Sequence, residues 1–512
     1  MMKTKLIYVF LSLALLSSCS SEDYDSPLQQ GGETLQLSVR VGSFVTDGAS
    51  DTRATGSDEK TAFEDGDRMG IIVLDKDNNI LSDNIPYKYS SSAWSFDSNS
   101  NEGKVAVNYN NRASTYLAYF PYSKGADGIN SIDGLKEKFQ PLSDQRTQNA
   151  YRASDLLVWN GTYEVSPQKL EIVLEHVYSL LSFPSSVNIT CNVIGVSTPV
   201  TYSSSLMSDV SFTLGGNPYS AYKAADGSYR IITAPQRMTT SDRWLVAYGA
   251  KTYSGSMSAT TLAEKTRYTL TSPSLSLGDY SLDNAKMGDF YCKSSDGSTG
   301  YLLPGEITTL TDGQKAACLG VVLKAGKDDS GNWQDTDSYK LKGTTTDMTD
   351  FHGYVLALKN GNGGTTCAWG SSGTQVGTDQ SQNILFCGYS NTQTIKKYAT
   401  DNSKTLQNDF PAAYHASDGY ETREDNKYSS PGNSSGWFLP SAGQCYYWIQ
   451  NREFLSSKMT VAGGDGWSGL YWSGSEYSDN PVGGAWVANF NSGSMGWTYK
   501  PWDFYVRAWL AF

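Results

Sequence analysis

The sequence predicts a mostly β protein with an α+β tail, and three observations carry that prediction. Short alternating segments separated by turn residues recur at intervals of about 8–12 residues through residue 280, the spacing of antiparallel sandwiches. Composition agrees: 49 Gly and 34 Tyr accompany only 18% charged residues, the profile of a secreted β protein with long loops. Beyond that point the texture changes, and eight of the 13 tryptophans fall after residue 436. At 512 residues the chain has room for about three domains of ordinary size. The 39% hydrophobic content, with 12% aromatic, suffices for their cores. A net charge of −12 with 40 Lys and Arg leaves no basic stripe to neutralise phosphates, so nucleic acid is excluded as a partner.

In chain order, Leu35 to Val41 alternates and reads as a strand with one apolar face. A polar stretch from Thr46 to Lys60 follows, then the turn Phe63-Glu-Asp-Gly-Asp67 into the strand Met69–Leu74. Asp75-Lys-Asp-Asn-Asn79 makes a hairpin turn. It imitates the start of an EF-hand, but position 12 is Pro86 instead of Glu, so no calcium loop is expected. Val105–Val107 and Tyr116–Phe120 read as further strands, closing a first sandwich over 35–165. A second, over 166–280, opens on Leu170, Ile172 and Leu174 alternating with charged residues. It continues through strands at Ser211–Leu214, Tyr229–Ile232, Arg243–Tyr248 and Thr266–Leu270. No convincing helix signal precedes residue 280.

The tail, 285–512, reads as a separate loop-rich α+β domain. Pro440-Ser441-x-x-Gln444 is a capping box and starts a helix. Pro411 marks a second helix start. Tyr505 to Phe512 reads as a strand with Val506, Ala508, Leu510 and Phe512 on one face, domain core with no spare tail to donate.

Lys3 and Lys5 precede an apolar run, Leu6 to Leu16, too short to span a bilayer. The following Leu16-Ser17-Ser18-Cys19 resembles the lipobox of bacterial lipoproteins. That resemblance implies a signal peptide over 1–18, acylation (palmitate) of Cys19 and an outer-membrane, cell-surface anchor by lipid, with 19–34 as a polar tether. Each buried methylene of such chains adds about 0.8 kcal/mol. Cys191, Cys292, Cys318, Cys367, Cys387 and Cys445 include no C-x-x-C, so zinc spacings are absent. Disulfides and buried free thiols both fit. His176, His352 and His415 are widely spaced and read as structural. No H-E-x-x-H occurs, nor a G-x-S-x-G, P-loop or G-x-G-x-x-G in a strand–helix context. Neither catalysis nor a cofactor nor a metal is expected.

Thr52-Arg53-Ala54-Thr55, Phe63-Glu-Asp-Gly-Asp67, Tyr116 to Tyr122, Asp155-Leu-Leu157, Glu175-His176-Val177 and Tyr229 to Gln236, in that order, resemble the fimbrillin family of Bacteroidales pilins and their Mfa-like lipoprotein relatives. The resemblance implies a pair of transthyretin-like seven-stranded sandwiches. It also implies proteolysis after Arg53, before Ala54, that removes the first strand so that another pilin subunit complements the groove by strand addition. Gly436–Gly443, Tyr471–Tyr477, Ala485–Phe490 and Tyr505–Phe512 resemble C-type-lectin-like domains. The E-P-N or Q-P-D and W-N-D signatures of calcium-dependent sugar binding are missing, and Asp479-Asn-Pro481 does not supply them.

Rigid aromatics among Ser, Gly and Asn between Tyr471 and Asp503 match the composition of a paratope. The candidate ligand-binding residues are Trp472, Glu476, Tyr477, Asp479, Asn480, Trp497, Tyr499, Trp502 and Asp503. Trp472 is also expected, with Trp486 and Trp509, among the core members, whereas Tyr499 and Trp502 are expected to be exposed. The sequence therefore points to a cell-surface adhesin, a tip or accessory subunit of a fimbria, that recognises an extracellular glycan or protein through its tail loops. The alternative is a surface lipoprotein that binds glycan or host protein without polymerising.

Overall fold

The computed structural model describes residues 34–46, 63–100, 103–110, 112–162, 164–165, 168–327, 333–380 and 385–512. The 1–18 leader, Cys19, all of the 19–34 tether except Thr34, and Arg53 and Ala54 lie outside these residues.

The first unit contains β1 (Gln36–Val41), β3 (Arg68–Leu74), β4 (Ile80–Ser90), β5 (Ala93–Phe96), β6 (Thr115–Phe120), β7 (Leu157–Gly161) and β8 (Gln168–His176), paired in the order β1-β8-β7-β6-β3-β4-β5. The short β2 (Val45–Thr46) leaves this sheet for the second unit. In β1 the alternation holds: Leu37, Val39 and Val41 are half-buried, and Gln36, Ser38 and Arg40 are exposed. It runs parallel to β8 with Leu37 opposite Leu170 and Val39 opposite Ile172. A slip of one residue would turn that apolar set outward. The Asp75–Asn79 turn forms as expected, with Asp75 Oδ1 accepting from the backbone N–H of Asp77 at 2.8 Å and of Asn79 at 2.9 Å.

Three expectations change in this unit. The Leu170–Leu174 alternation does not open the second sandwich, because β8 pairs with β1 and then, over its last two residues, with β7. The unit boundary therefore falls after His176 rather than between 165 and 166. Val105 to Val107 is not a strand: Val105 is exposed, while Val107 is buried and its carbonyl accepts from Leu35 N–H at 3.2 Å. Two short α-helices among the described residues also precede residue 280, α1 (Ile132–Lys138) and α2 (Gln148–Ala153), capped by the Ser131 and Thr147 hydroxyls. Each is too short to leave a periodic signal. They place Leu135 and Tyr151 on the outer face of the sheet, against Leu117, Tyr119 and Val158.

The second unit comprises β9 (Ser179–Phe183), β10 (Val187–Val193), β11 (Val200–Ser204), β12 (Met207–Leu214), β13 (Tyr229–Thr233), β14 (Arg243–Tyr248), β15 (Thr266–Thr269) and β16 (Ser274–Tyr280). One sheet holds β13, β9, β15 and the incoming β2; another holds β11, β10 and β16; a third is built on β12 and β14. Leu181, Phe183, Phe212, Ile231 and Val246 fill the space between them.

In the tail, β17 (Phe290–Lys293), β18 (Gly300–Leu303), β19 (Cys318–Ala325), β20 (Gly353–Asn360) and the last strand of the chain pair in the order β18-β17-β19-β20-last strand, with Trp437–Phe438 at the far edge. That last strand, Arg507–Ala511, lies inside the sheet and every one of its residues is buried, so it has two covered faces where alternation suggested one. The capping box forms, with Ser441 Oγ accepting from Gln444 N–H and Gln444 Oε1 accepting from Ser441 N–H at 2.8 Å. The helix behind it spans Ala442–Ala462. Pro411 sits at the first position of the helix Pro411–His415. A helix not foreseen from sequence runs over Gly388–Asp401. In chain order these three are α3 (Gly388–Asp401), α4 (Pro411–His415) and α5 (Ala442–Ala462). The tail is not a separate body, because one hydrophobic core runs from Leu181 in the second unit through to Phe512. Polar contacts reinforce the junction: Tyr280 Oη donates to Asp289 Oδ2 at 2.7 Å, and Ser204 Oγ donates to Glu306 Oε2 at 2.9 Å. Among the described residues no helix is long and apolar enough to cross a membrane.

Candidate aromatic binding surface

The candidate loops rise from a three-stranded antiparallel sheet of β21 (Leu470–Glu476), β22 (Gly484–Asn489) and β23 (Ser494–Tyr499). Strand periodicity sends Trp497 and Tyr499 to the same outer face, with Thr498 buried between them. Gly484 lies opposite Tyr499. A Cβ there would come within 3.2 Å of the Trp497 ring, so the bare backbone is what lets that ring lie across the strand.

The rings form a continuous ladder. Tyr477 and Trp497 stack in parallel, with centroids 4.5 Å apart and planes 3° from parallel. Trp486 meets Tyr477 edge-on at 5.1 Å. Tyr499 packs on Trp497 at 5.7 Å and Trp502 on Tyr499 at 5.8 Å, both strongly tilted. Such offset and edge-to-face pairs stabilise one another by about 0.5–1.5 kcal/mol each, so the ladder holds its shape while remaining accessible. Trp497, Tyr499 and Trp502 are 42%, 48% and 56% exposed. Tyr477 Oη donates to Asp479 Oδ2 at 2.9 Å, and that carboxylate raises the Tyr477 pKa. Asp503 is an exposed carboxylate next to Trp502. Asn480 is half-buried and shapes the hairpin, its side-chain oxygen accepting from Gly483 N–H at 3.1 Å.

Two of the candidates are not at the surface. Trp472 is fully buried, and its indole N–H donates to the Cys367 carbonyl at 2.8 Å. Of its two expected roles, core is the one it occupies. Glu476 is also fully buried and pairs with the equally buried Lys500 at 2.6 Å. Glu476 Oε1 also accepts from Val376 N–H at 2.8 Å, and Oε2 from Gly377 and Thr378 N–H at 2.9 and 3.2 Å. Lys500 donates to the carbonyls of Thr374 and Pro481, each at 2.7 Å, and its ammonium lies 4.5 Å above the Trp369 ring. Burial lowers the Lys500 pKa and the Glu476 carboxylate opposes that shift. Lys500, which the sequence reading passed over, is thus the post from which Tyr499 and Trp502 project. The visible signal was a lone Lys in a Tyr-Lys-Pro-Trp turn and a lone Glu in a Ser/Gly strand, each needing a partner if buried.

His176 is buried, stacked on Phe44 at 3.8 Å and 2.8 Å from Asp155 Oδ1. His352 lies between Asp283 and Asp350, 3.4 Å from its Nδ1 and 3.3 Å from its Nε2. One ligand atom from each of these three residues lies within 4.8 Å of the other two, a spacing that a metal ion could bridge, and both carboxylates are exposed. His415 is half-buried, and burial lowers its pKa. All six cysteines from Cys191 to Cys445 are free and buried.

Residues 52–273 match the model of the fimbrillin-like family, Mfa_like_1. A Bacteroides ovatus protein named "Putative fimbrium tip subunit Fim1C" is 24% identical over 523 aligned positions, covering 90% of this chain and 89% of that protein. The crystal structure of a Bacteroides ovatus fimbrial protein aligns over 94% of this chain and 100% of its own, at 19% identity and a TM-score of 0.36. A "putative cell adhesion protein" of the same species aligns over 47% of this chain and 93% of its own, at 16% identity and a TM-score of 0.33. Residues 52 to 273, the bulk of the two β units, are thus similar to the fimbrillin-like family.

Proposed function

We propose that this protein is a cell-surface adhesin, a tip or accessory subunit of a fimbria, and that its ligand is recognised on the ladder Tyr477–Trp497–Tyr499–Trp502. The observation that carries the reading is that ladder: three large aromatic side chains stay 42–56% exposed while a buried ion pair holds their base. Exposed aromatics on a preorganised support give contact area at low entropic cost. The fimbrillin-like match and the name of the Bacteroides ovatus relative support a place in a fimbria.

The tail is assigned a C-type-lectin-like fold on its sequence motifs, supported by the capped α5 beneath the loops and by a last strand that shares a sheet with the tail's first strands. Lipid anchoring at Cys19 and cleavage between Arg53 and Ala54 complete the proposal. β1 lies at a sheet edge and, among the described residues, pairs with β8 alone. Its departure leaves a row of unpaired β8 backbone groups beside Leu170, Ile172 and Leu174, a groove suited to a strand from another pilin.

The test is adhesion of the full chain to immobilised glycans and extracellular-matrix proteins, compared with a Tyr499→Ala/Trp502→Ala variant. Binding is expected to fall at least about tenfold, since such anchors contribute 2 kcal/mol or more, with the melting temperature within a few degrees of wild type. Equal binding by the variant overturns the site. Co-purification with pilins in detergent-resistant ladders is the expected outcome for a fimbrial subunit, and a protein that binds but purifies alone is the non-polymerising lipoprotein instead.

A further inference from the structure

A cavity of about 420 Å³ lies where the second unit meets the tail, away from the aromatic ladder in sequence and in lining residues. Its mouth is apolar, with Leu206 63% exposed and Phe454 50% exposed. Its floor is polar. Asp289 there is fully used: Oδ2 accepts from Tyr280 Oη at 2.7 Å and Lys286 N–H at 2.9 Å, and Oδ1 from Gly305 N–H at 2.7 Å. Glu306 is only half used. Its Oε2 accepts from Ser204 Oγ and from Tyr248 Oη, whereas Oε1 has no hydrogen bond among the described residues. Tyr202, 8% exposed, likewise lines the cavity with a hydroxyl that no described protein group engages. A donor and an acceptor that no described protein group occupies, in a concave, mostly apolar site at a unit junction, are the marks of a ligand pocket.

Charge selects the ligand class. Glu306 and Asp289 disfavour an anion at the floor. Lys286 and Lys458 line the cavity too, Lys458 tied to the Gly305 carbonyl at 2.6 Å, and they disfavour a cation entering past them. We propose that this cavity is a second binding site, taking a neutral sugar residue that donates a hydroxyl to Glu306 Oε1, accepts from Tyr202 Oη and lays its C–H face against Phe454 and Leu206. Tyr202 and Ser203 also line an adjoining cleft of about 620 Å³ along β11, which provides for a second sugar of the same chain.

Saturation-transfer NMR on the full chain tests the site, with methyl glycosides of neutral hexoses and N-acetylhexosamines as probes and choline and acetate as charged controls. Saturation is expected to reach the C–H protons of at least one glycoside and neither control. Tyr202→Phe removes a hydroxyl that no described group uses, so folding is unaffected, and the glycoside should bind roughly fivefold to tenfold more weakly. The Tyr499→Ala/Trp502→Ala variant should bind it as wild type does, whatever becomes of adhesion. No transfer to any glycoside, equal affinity in Tyr202→Phe, stronger transfer to choline or acetate, or loss of the signal in the ladder variant each overturns the proposal.

Discussion

Glu476 and Lys500 form an ion pair in which neither side chain is exposed at all, with Nζ 2.6 Å from Oε1. Among the described residues, the other side-chain hydrogen bonds of the pair tie two loops to it: 374–378 through four backbone groups and the 477–483 hairpin through the Pro481 carbonyl. The pair thus organises the ground on which the aromatic ladder stands.

Glu476→Gln keeps the shape and an acceptor but strands a buried ammonium. Breaking a buried pair from one side costs roughly 3–5 kcal/mol, so thermal unfolding should begin on the order of 10 °C lower. Adding Lys500→Met to Glu476→Gln should recover much of that loss. A single variant that melts with the wild type would show the pair to be dispensable.

Asp337 accepts from the N–H groups of Tyr389 and Ser390 at 2.9 and 3.0 Å and so caps α3 from outside. Burial, with the neighbouring Asp335 carboxylate adding to it, pushes its pKa up to about 6 from 3.8. Because the folded value lies above the unfolded one, its contribution is fully present below pH 3.8 and is lost as pH rises through about 6, an effect of up to about 3 kcal/mol. Denaturant titrations between pH 4 and 7 should show a flatter pH dependence in Asp337→Asn than in wild type. Parallel curves would refute the assignment.

Six buried thiols make a chemical prediction. Burial pushes Cys367 up to about 12 and raises Cys191, Cys387 and Cys445 as well, and the thiolate is the reactive form. Ellman's reagent should find none of the six reactive in the native chain and all six in denaturant without a reductant. A lower count in denaturant would reveal a disulfide.

Limited trypsin digestion addresses the bond after Arg53. Under denaturing electrophoresis the main product should be a fragment whose N-terminal sequence begins Ala54-Thr55-Gly56. Persistence of uncut protein, or a first cut elsewhere, would remove the basis for strand exchange at β1.

What the sequence made legible was local. The α5 capping box, the Pro411 helix start, the Asp75 turn and the β1 alternation all depend on residues within a few positions of one another, and all four form. What it hid depends on distant partners. Alternation in β8 identifies an apolar face but not the sheet that the strand joins. α3 takes its cap from Asp337, some fifty residues upstream, so no Ser, Thr, Asp or Asn stands at its N-cap position, which is Cys387. Glu476 resembled a surface acid because its counter-charge, Lys500, lies 24 positions away. The ladder was half legible: the sequence set Tyr499 and Trp502 apart from the buried Trp472, but the stacking of Tyr477 on Trp497 shows only in the folded sheet, where β22 pairs with β23.

The uninterrupted core from Leu181 to Phe512 has a mechanical corollary. A pull on a ligand held at the ladder finds no hinge between the tail and the unit beneath it, so tension is shared across the strands of both before either yields. The first unit is joined to the second by a further buried core, in which Phe44, Leu117, Tyr119 and Tyr151 pack with Leu180 and Ile232, and by β2, so the load passes on to it as well.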